Sequence, residues 1–213
     1  MSNNESVALD TAEFLLQIKA IKIDNQNPFT WSSGIKSPIY CDNRKILSYP
    51  KVRTFIRQEF ARLINDEFGS IDVIVGVATG AIAHGVLVAQ ELGLPFAYVR
   101  TTKKEHGLTN QIEGVVESGQ SAVVIEDLVS TGQSSLAAVT ALREAGCIVK
   151  GMAAIFTYGL ESASINFQKE NCTLRTLTDY NHLISHAVEM NYIKESDKQS
   201  LIAWRENPEI WGK

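Results

Sequence analysis

Two adjacent carboxylates, Glu126 and Asp127, stand shortly before a turn of small residues at positions 130–132, Ser-Thr-Gly. The apolar residues 122–125 predict a buried strand, and the apolar spacing after residue 134 predicts a helix. A strand that enters a helix through a tight polar loop can bind phosphate, because free backbone N–H groups and the helix dipole face the anion. Carboxylates at the end of a buried strand are costly unless they have a function, and here they would repel a phosphate. We therefore expect a ligand with a phosphate at one end and hydroxyls or a developing positive charge nearby, as in a ribose 5-phosphate.

A basic loop at residues 100–107 is the second segment that could do chemistry. It contains Arg100, Lys103, Lys104 and His106. Such a run of charges is ordinarily a solvated surface loop. Because this loop leaves the end of a predicted strand beside the phosphate loop, we expect a mobile lid that meets a polyanion. Arginine and lysine would neutralise phosphate charge there, and His106 could donate a hydrogen bond or a proton.

Other candidate sites carry weaker signals. Residues 76–81 again join a strand to a helix through small residues, and a plain helix cap explains them as well as a ligand contact does. His84 lies in an apolar helix and is expected to pack in the core. His182 and His186 have i, i+4 spacing, but no third metal ligand is evident. Cys41 has no partnered histidine, so a nucleophilic role is not expected.

The whole chain has the length and composition of one globular domain, or of one domain with a small appendage. It has 213 residues, of which 45% are hydrophobic and 21% charged, and its net charge of −4 gives no basic footprint for nucleic acid. Three widely spaced cysteines form neither a disulfide framework nor a zinc pattern, which favours a reduced cytoplasm. The first ten residues do not resemble a signal peptide, and no apolar run approaches the ~20 residues needed to span a bilayer. We expect a cytoplasmic protein without a membrane partner.

Hydrophobic spacing predicts the elements that position these residues. Asp10 and Glu13 resemble a capping box that starts a helix, a long helix follows Pro50, and residues 25–44 form an ordered loop or short strands between them. Strands and helices then alternate, which predicts a mostly parallel α/β sheet. The predicted strands are 71–77, 95–99, 122–125, 148–156 and 173–177, and the predicted helices are 81–92, 134–145, 182–190 and 196–204.

Three segments together resemble the type I phosphoribosyltransferase family, and within it the branch that acts on orotate. Residues 123–132 resemble the motif that binds 5-phosphoribosyl 1-pyrophosphate (PRPP), and residues 100–107 resemble the flexible catalytic loop. Residues 29–40 resemble the N-terminal segment that distinguishes orotate enzymes from purine enzymes. The resemblance covers nearly the whole chain. It implies one domain over residues 1–213, with a mostly parallel sheet flanked by helices and a small hood built mainly from residues 1–45.

The resemblance implies a pentosyl transfer: ribose 5-phosphate moves from PRPP to N1 of orotate, giving orotidine 5′-monophosphate and pyrophosphate in the de novo synthesis of UMP. Glu126 and Asp127 would hold the ribose hydroxyls and favour the oxocarbenium-like sugar. Arg100, Lys104 and His106 would meet the pyrophosphate, and Lys104 and His106 would join the two acids in catalysis. Mg²⁺ would arrive on PRPP without a protein ligand set. The remaining implied PRPP contacts are Leu128, Val129, Ser130, Thr131, Gly132, Gln133 and Ser134 around the 5′-phosphate.

The acceptor side and the assembly are also implied by the resemblance. Lys36 would lie near PRPP or the base, and Ser130, Tyr40 and Arg44 would contact orotate. In the family the catalytic loop closes over the active site of the other subunit, which implies a homodimer.

This chain departs from the family pattern at three places. Many members have lysine directly after the loop arginine, where this chain has Thr101, and whether Lys103 substitutes is open. Some have lysine at the position of Ser32, and some place an arginine where this chain has residues 158–160, Tyr-Gly-Leu. The orotate carboxylate would then be bound in another way, by Arg44 or by backbone N–H groups.

Two alternatives use the same fold. A PRPP-sensing regulator would need a nucleic-acid surface, which this acidic chain does not show. A purine phosphoribosyltransferase is disfavoured by the N-terminal segment at residues 29–40.

Overall fold

The computed structural model describes residues 5–31, 34–100 and 111–211. The N-terminal part combines helices with very short strands. Its elements are α1 (Glu5–Gln17), β1 (Ile21–Ile23), β2 (Phe29–Thr30), β3 (Lys36–Ser37), β4 (Ile39–Cys41), a 3-10 helix (Asn43–Ser48) and α2 (Pro50–Phe68).

From residue 73 onward, strands and helices alternate as the spacing predicts. The elements are β5 (Val73–Val77), α3 (Ile82–Leu92), β6 (Phe96–Val99), β7 (Ile112–Glu113), β8 (Ser121–Val129), α4 (Gln133–Glu144), β9 (Ile148–Thr157), α5 (Glu161–Lys169), β10 (Leu174–Asp179), α6 (Tyr180–Glu189) and α7 (Glu195–Glu206).

Six strands form one central sheet in the order β10-β9-β8-β5-β6-β7. All neighbouring pairs are parallel except the antiparallel pair of β6 with β7. The predicted α/β architecture is therefore confirmed. Strand β5 pairs with β6 on one side and with β8 on the other, so the strand order reverses at β5 and β8. Ligands of such sheets bind at this reversal, at the carboxyl ends of the strands.

Helices cover both faces of the sheet and open a crevice at the reversal. On β8, Val123 and Ile125 pack into the core shared with α1, α2 and α3, whereas Ala122 and Val124 pack toward α4 and α5. Alternating side chains of a strand point to opposite faces, so this buried strand is apolar on both. Because α3 and α4 lie on opposite faces, the two chain segments that leave β5 and β8 diverge.

The N-terminal hood consists of two small antiparallel sheets, β1 with β4 and β2 with β3. An aromatic cluster attaches it to the body: the Trp31 ring lies 4.9 Å from the Tyr158 ring and 5.6 Å from the Trp204 ring. Trp204 Nε1 donates a hydrogen bond to the backbone carbonyl of Lys36 at 3.0 Å. The C-terminal helix α7 therefore anchors the strand that carries Lys36.

Several predicted boundaries are wrong. Helix α1 extends back to Glu5, so Asp10 lies inside the helix and is not its cap. The helix ends at Gln17, and the chain continues into β1, which pairs with β4. Strand β8 continues through Glu126 and Asp127 to Val129, since β9 pairs with it along this length. Helix α5 and strand β7 were not predicted.

No helix in the described part of the chain is long and apolar enough to cross a bilayer.

Candidate active site

The paired acids occupy successive positions near the carboxyl end of β8, so their side chains leave the strand in different directions. Glu126 is buried on the side of α4, where Ser135 Oγ donates to its Oε2 at 2.8 Å. The backbone N–H of Asp127 donates to Glu126 Oε1 at 3.1 Å. Glu126 is thus held by two protein donors, while Asp127 is only partly buried.

Burial gives the two carboxyls unequal proton affinities. Burial raises the pKa of Glu126 well above its usual range, and the nearby charge of Asp127 raises it further, while the Ser135 hydrogen bond opposes both. Burial also raises the pKa of Asp127, but hydrogen bonds from the Glu126 carboxyl and the backbone, together with the charge of Arg44, oppose that shift. The pKa of Glu126 is therefore raised further than that of Asp127. Of the two carboxyls, Asp127 loses its proton more readily and is also the one less buried.

The loop after β5 lies directly against Asp127. A Cβ atom added at Gly80 would overlap the Asp127 carboxylate, so any other residue here would require the acid or the loop to shift. The Ala78–Thr79 peptide bond in the same loop is cis. This loop, which the sequence left open between a helix cap and a ligand contact, therefore forms one wall of the site.

A cavity of about 400 Å³ lies between this loop, the acids and the hood. The β5 loop contributes residues 77–80, and β8 contributes residues 126–128. Ser134 at the start of α4 closes one side, and the hood segment at residues 41–44 supplies Cys41, Asp42 and Arg44. The predicted acids are thereby brought together with two segments that are distant in sequence.

The predicted phosphate loop has the expected strand–loop–helix geometry. Residues 130–132 connect β8 to α4, with Gly132 in the left-handed region at φ 79°. A Cβ at Gly132 would meet the Phe167 ring at 2.6 Å, and Asn166 Nδ2 donates to the Thr131 carbonyl at 3.0 Å. Helix α5 therefore supports this loop from behind. The first turn of α4 starts at Gln133, with backbone N–H groups that lack partners within the helix.

Arg100 directly follows the last residue of β6, the strand that pairs with β5. Its backbone N–H donates to the Gln111 carbonyl at 2.9 Å, and its guanidinium lies 3.5 Å from Glu113 in β7. A small pocket connects Arg100 with Val77 and Ser134, both of which also line the main cavity. Arg100 is thus adjacent to the site. The other predicted loop residues, Lys104 and His106 together with Thr101 and Lys103, lie outside the described residues, as does Ser32.

The residues predicted to contact the acceptor are found at different places. Arg44 lines the cavity, with its Nε 2.6 Å from Asp42. Lys36 Nζ donates to Thr30 Oγ1 at 2.9 Å within the hood, and the Tyr40 ring lies 5.7 Å from the Phe29 ring. Among the described residues that line the cavity, Arg44 is present, whereas Lys36, Tyr40 and Ser130 are not.

The hood segment at residues 41–43 was missed as part of the site. Cys41 lines the cavity, and its pKa is raised well above its usual range by burial and then by the charges of Asp127 and Asp42. Asn43 Nδ2 donates to the Asp127 carbonyl at 2.6 Å. The polar residues Asp42 and Asn43, directly after β4, were a local signal for a binding segment. The contact of Asn43 with Asp127, 84 positions away in the chain, had no signature in the sequence.

Three of the four histidines lie in the described part of the chain. His84 is buried in the core, and burial lowers its pKa to about 4, against the effect of the nearby Asn43 backbone carbonyl. His182 Nδ1 lies 2.9 Å from Asp179, the N-cap of α6, and His186 lies 3.6 Å from Glu13. Over the described ranges, no group of three or more His, Cys, Asp or Glu side chains could hold a metal ion.

Comparison with known proteins identifies the family. A sequence model of the phosphoribosyl transferase domain matches residues 45–178, a range that contains the acids, the phosphate loop and the basic loop. The chain belongs to this family. It is 53% identical over 201 residues to the orotate phosphoribosyltransferase of Porphyromonas gingivalis, covering 94% of this chain and 96% of that protein. It is 52% identical over 208 residues to the orotate phosphoribosyltransferase of Listeria innocua, covering 98% of this chain and 100% of that protein.

Within the phosphoribosyltransferases, the chain groups with the orotate enzymes. The alignment with the Listeria innocua enzyme covers 98% of the chain and therefore includes the hood at residues 21–44. The match to the domain model begins at residue 45 and does not include the hood.

Solved structures of phosphoribosyltransferases share the fold. The structure of Leishmania donovani UMP synthase superposes with a TM-score of 0.78 at 24% identity, and the match covers 93% of this chain but only 42% of that one. Orotate phosphoribosyltransferase from Aeropyrum pernix gives a TM-score of 0.74 at 24% identity, covering 86% of this chain and 99% of that one.

Proposed function

We propose that the protein transfers ribose 5-phosphate from PRPP to N1 of orotate in the de novo synthesis of UMP, releasing pyrophosphate. The observation that carries this proposal is the position of the acid pair on β8. It lies between a phosphate-type loop at a helix N-terminus and a hood segment, in a chain 53% identical to an orotate phosphoribosyltransferase.

PRPP would lie across the carboxyl ends of β8 and β5. The 5′-phosphate occupies the loop at residues 130–134, where unpaired N–H groups and the α4 dipole attract an anion. The ribose hydroxyls face Asp127, and the pyrophosphate extends toward residues 77–80 and Arg100. Lys104 and His106 of the basic loop are proposed to complete the pyrophosphate contacts.

The reaction makes one bond and breaks one. Orotate N1 attacks C1 of the ribose, the bond from C1 to the pyrophosphate oxygen breaks, and both electrons leave with pyrophosphate. Positive charge develops on the sugar in between. An ionised Asp127 faces that charge from a partly buried position, where the interaction is stronger than in bulk water. No covalent bond to the enzyme is required.

Mg²⁺ is proposed to enter with PRPP. Magnesium usually binds through substrate phosphates plus one or two carboxylates, and Asp127 and Asp42 both line the cavity. When bound, the ion neutralises pyrophosphate charge. The carboxylates present fit a metal that travels on the substrate.

Arg44 is the proposed ligand of the orotate carboxylate. It is the arginine of the cavity wall at the hood; its Nε pairs with Asp42 at 2.6 Å, and its side chain is 63% exposed and therefore accessible to a ligand. Tyr158, where some family members have an arginine nearby, is buried among aromatic rings. Tyr40, Ser130 and Lys36 remain proposed contacts of the substrates.

The proposed assembly is a cytoplasmic homodimer of single-domain subunits, in which the basic loop of one subunit serves the site of the other. Cys41, Cys147 and Cys172 are all free thiols, as expected in a reducing compartment.

A spectrophotometric assay of orotate consumption with PRPP and Mg²⁺ tests the activity. Hypoxanthine and adenine replace orotate in parallel reactions. We expect turnover with orotate and none with hypoxanthine or adenine. Turnover with a purine and not with orotate would instead identify a purine phosphoribosyltransferase, and PRPP binding without turnover of any base would identify a sensor.

A further inference from the structure

Asn43 connects the hood to the strand of the acids. It is the first residue of the 3-10 helix, is 1% exposed, and lies directly after the cavity residues Cys41 and Asp42. Its Nδ2 donates to the backbone carbonyl of Asp127 at 2.6 Å. This contact joins two cavity walls that belong to different layers of the molecule.

The orientation of the Asn43 amide is fixed from both ends. Its Oδ1 accepts a hydrogen bond from Cys41 Sγ at 3.2 Å, which leaves Nδ2 to face the Asp127 carbonyl. The Asn43 backbone carbonyl lies beside the buried ring of His84 in α3, whose Nε2 has no hydrogen-bond partner. An amide whose oxygen and nitrogen are both engaged in this way is held firmly, because turning it away would break both hydrogen bonds.

This contact affects the distance between the ribosyl donor and the base that accepts the ribosyl group. Asp127 is the acid available to the ribose, whereas Asp42 and Arg44 flank Asn43 and line the acceptor side of the same cavity. A hydrogen bond from Asn43 to the backbone of Asp127 therefore sets how far the acceptor wall lies from the sugar. Transfer reactions are sensitive to such spacing, and an error of about 1 Å can cost on the order of a hundredfold in rate.

We propose that Asn43 is a positioning residue for phosphoribosyl transfer: through its hydrogen bond to the Asp127 carbonyl, it holds the hood wall in register with the acid that faces the ribose. This proposal rests on the proposed orotate activity. Asn43 touches neither substrate in this scheme and acts through Asp127 and its own neighbours.

Asn43→Asp tests the hydrogen bond itself, because aspartate has the same shape but donates only when protonated. The groups that face position 43 are Asp127 from β8, Cys41 from β4, His84 from α3, and the adjacent Asp42 and Arg44. Position 43 is buried and faces the Asp127 carbonyl, so the pKa of the introduced carboxyl would lie well above the ordinary value of about 3.9. At high pH the ionised carboxylate would repel the Asp127 carbonyl, and at low pH its proton would restore the bond. We expect kcat/KM of the variant, relative to the parent protein at the same pH, to rise by about tenfold or more between pH 8.5 and pH 6.

Two further variants make the test decisive. Asn181→Asp is a matched control, since Asn181 is exposed and its Oδ1 only accepts a hydrogen bond from Arg205. The activity of this variant relative to the parent protein should not change with pH.

Asn43→Ala cannot donate at any pH, so its kcat relative to the parent should be lower by roughly tenfold and constant across the same pH range. Calorimetric binding of PRPP to Asn43→Ala should change by less than about threefold, because the phosphate loop does not depend on this contact.

The outcomes separate the two proposals. Absence of orotate turnover in the parent protein would overturn the proposed function. Turnover in the parent with a pH-independent ratio for Asn43→Asp, or with parental kcat in Asn43→Ala, would overturn the role of Asn43 alone. If Asn43→Asp does not fold, as judged by circular dichroism, the kcat and PRPP affinity of Asn43→Ala decide.

Discussion

The contact between Gly80 and Asp127 gives the site its sharpest steric constraint. Gly80→Ala would place a methyl group inside the Asp127 carboxylate, so either the acid or the β5 loop must move. We expect kcat for orotate transfer to fall on the order of a hundredfold, as for a displacement of about 1 Å at a reacting centre. Steady-state kinetics measure the effect.

Gly69→Ala is the control for that substitution. Gly69 has a φ of 66° and open space where a Cβ would lie, and it precedes the amino end of β5, opposite the cavity. This variant should lose stability through backbone strain while keeping the parental kcat. Parental kcat in Gly80→Ala would show that the close approach has no catalytic role.

Glu126 is expected to cost the protein stability at neutral and alkaline pH. Its pKa is raised in the folded protein, chiefly by burial, so the folded state holds the proton more tightly than the unfolded chain. Stability is therefore full below the unfolded pKa, and it falls as the pH rises toward the folded pKa. Glu126→Gln removes this titration, and the Ser135 hydroxyl can still pair with the amide.

Thermal unfolding of Glu126→Gln across pH 5 to pH 8 checks this sign. The variant should unfold at a higher temperature than the parent at pH 8, and the difference should shrink toward pH 5. A constant or reversed difference would mean that Glu126 is ionised without penalty in the fold. Activity is expected to fall in the same variant, since stability and function oppose each other at such sites.

At the scale of elements, helix α5 is a support for the phosphate loop. Asn166→Ala removes the donor to the Thr131 carbonyl. Because a single hydrogen bond contributes about 1 kcal/mol, we expect KM for PRPP to rise roughly five- to tenfold with a smaller change in kcat. Gln168→Ala on the exposed side of the same helix should leave KM unchanged. Equal KM values for the two variants would contradict the role of Asn166.

The same helix shows where prediction from sequence ends. Residues 161–169 contain few apolar side chains, and one of them, Ile165, is 56% exposed, so the periodic signal is weak. The helix is stabilised by Phe167 packing under Gly132, a contact between distant parts of the chain. By contrast, β5, α3 and α4 were predicted within a few residues, because their apolar spacing is strong and local.

The same distinction between local pattern and distant contacts applies to the site. The position of the acids on a strand and the loop and helix that follow them were predictable, since these elements are contiguous in the sequence. The hood wall at Cys41 and Asp42 was not, because its place in the cavity depends on how the hood packs against β8. Strand pairing also determines the length of β8. The apolar pattern predicted that the strand ends before the acids, whereas β8 pairs with β9 as far as Val129.

For the whole molecule, mixed subunits test the proposed sharing of the basic loop. Asp127→Asn and Lys104→Ala should each lose most turnover while remaining folded. If the loop serves the partner's site, a mixed dimer has one site with both residues intact. Random reassociation of equal amounts should then recover about a quarter of the parental activity, as expected for two-fold symmetry. Size-exclusion chromatography confirms assembly, and failure to regain activity in verified mixed dimers would place the loop over its own subunit's site.

The attachment of the hood by α7 has a consequence for spectroscopy. The chain has three tryptophans, and all are at this junction: Trp31 and Trp204 lie ring to ring at 5.6 Å, and Trp211 Nε1 donates to Ser200 Oγ of α7 at 3.2 Å. Intrinsic tryptophan emission therefore reports on one boundary of the molecule and not on the phosphate loop. The unlabelled protein therefore contains its own optical probe of the contact between hood and body, and this probe can be followed as each substrate is added.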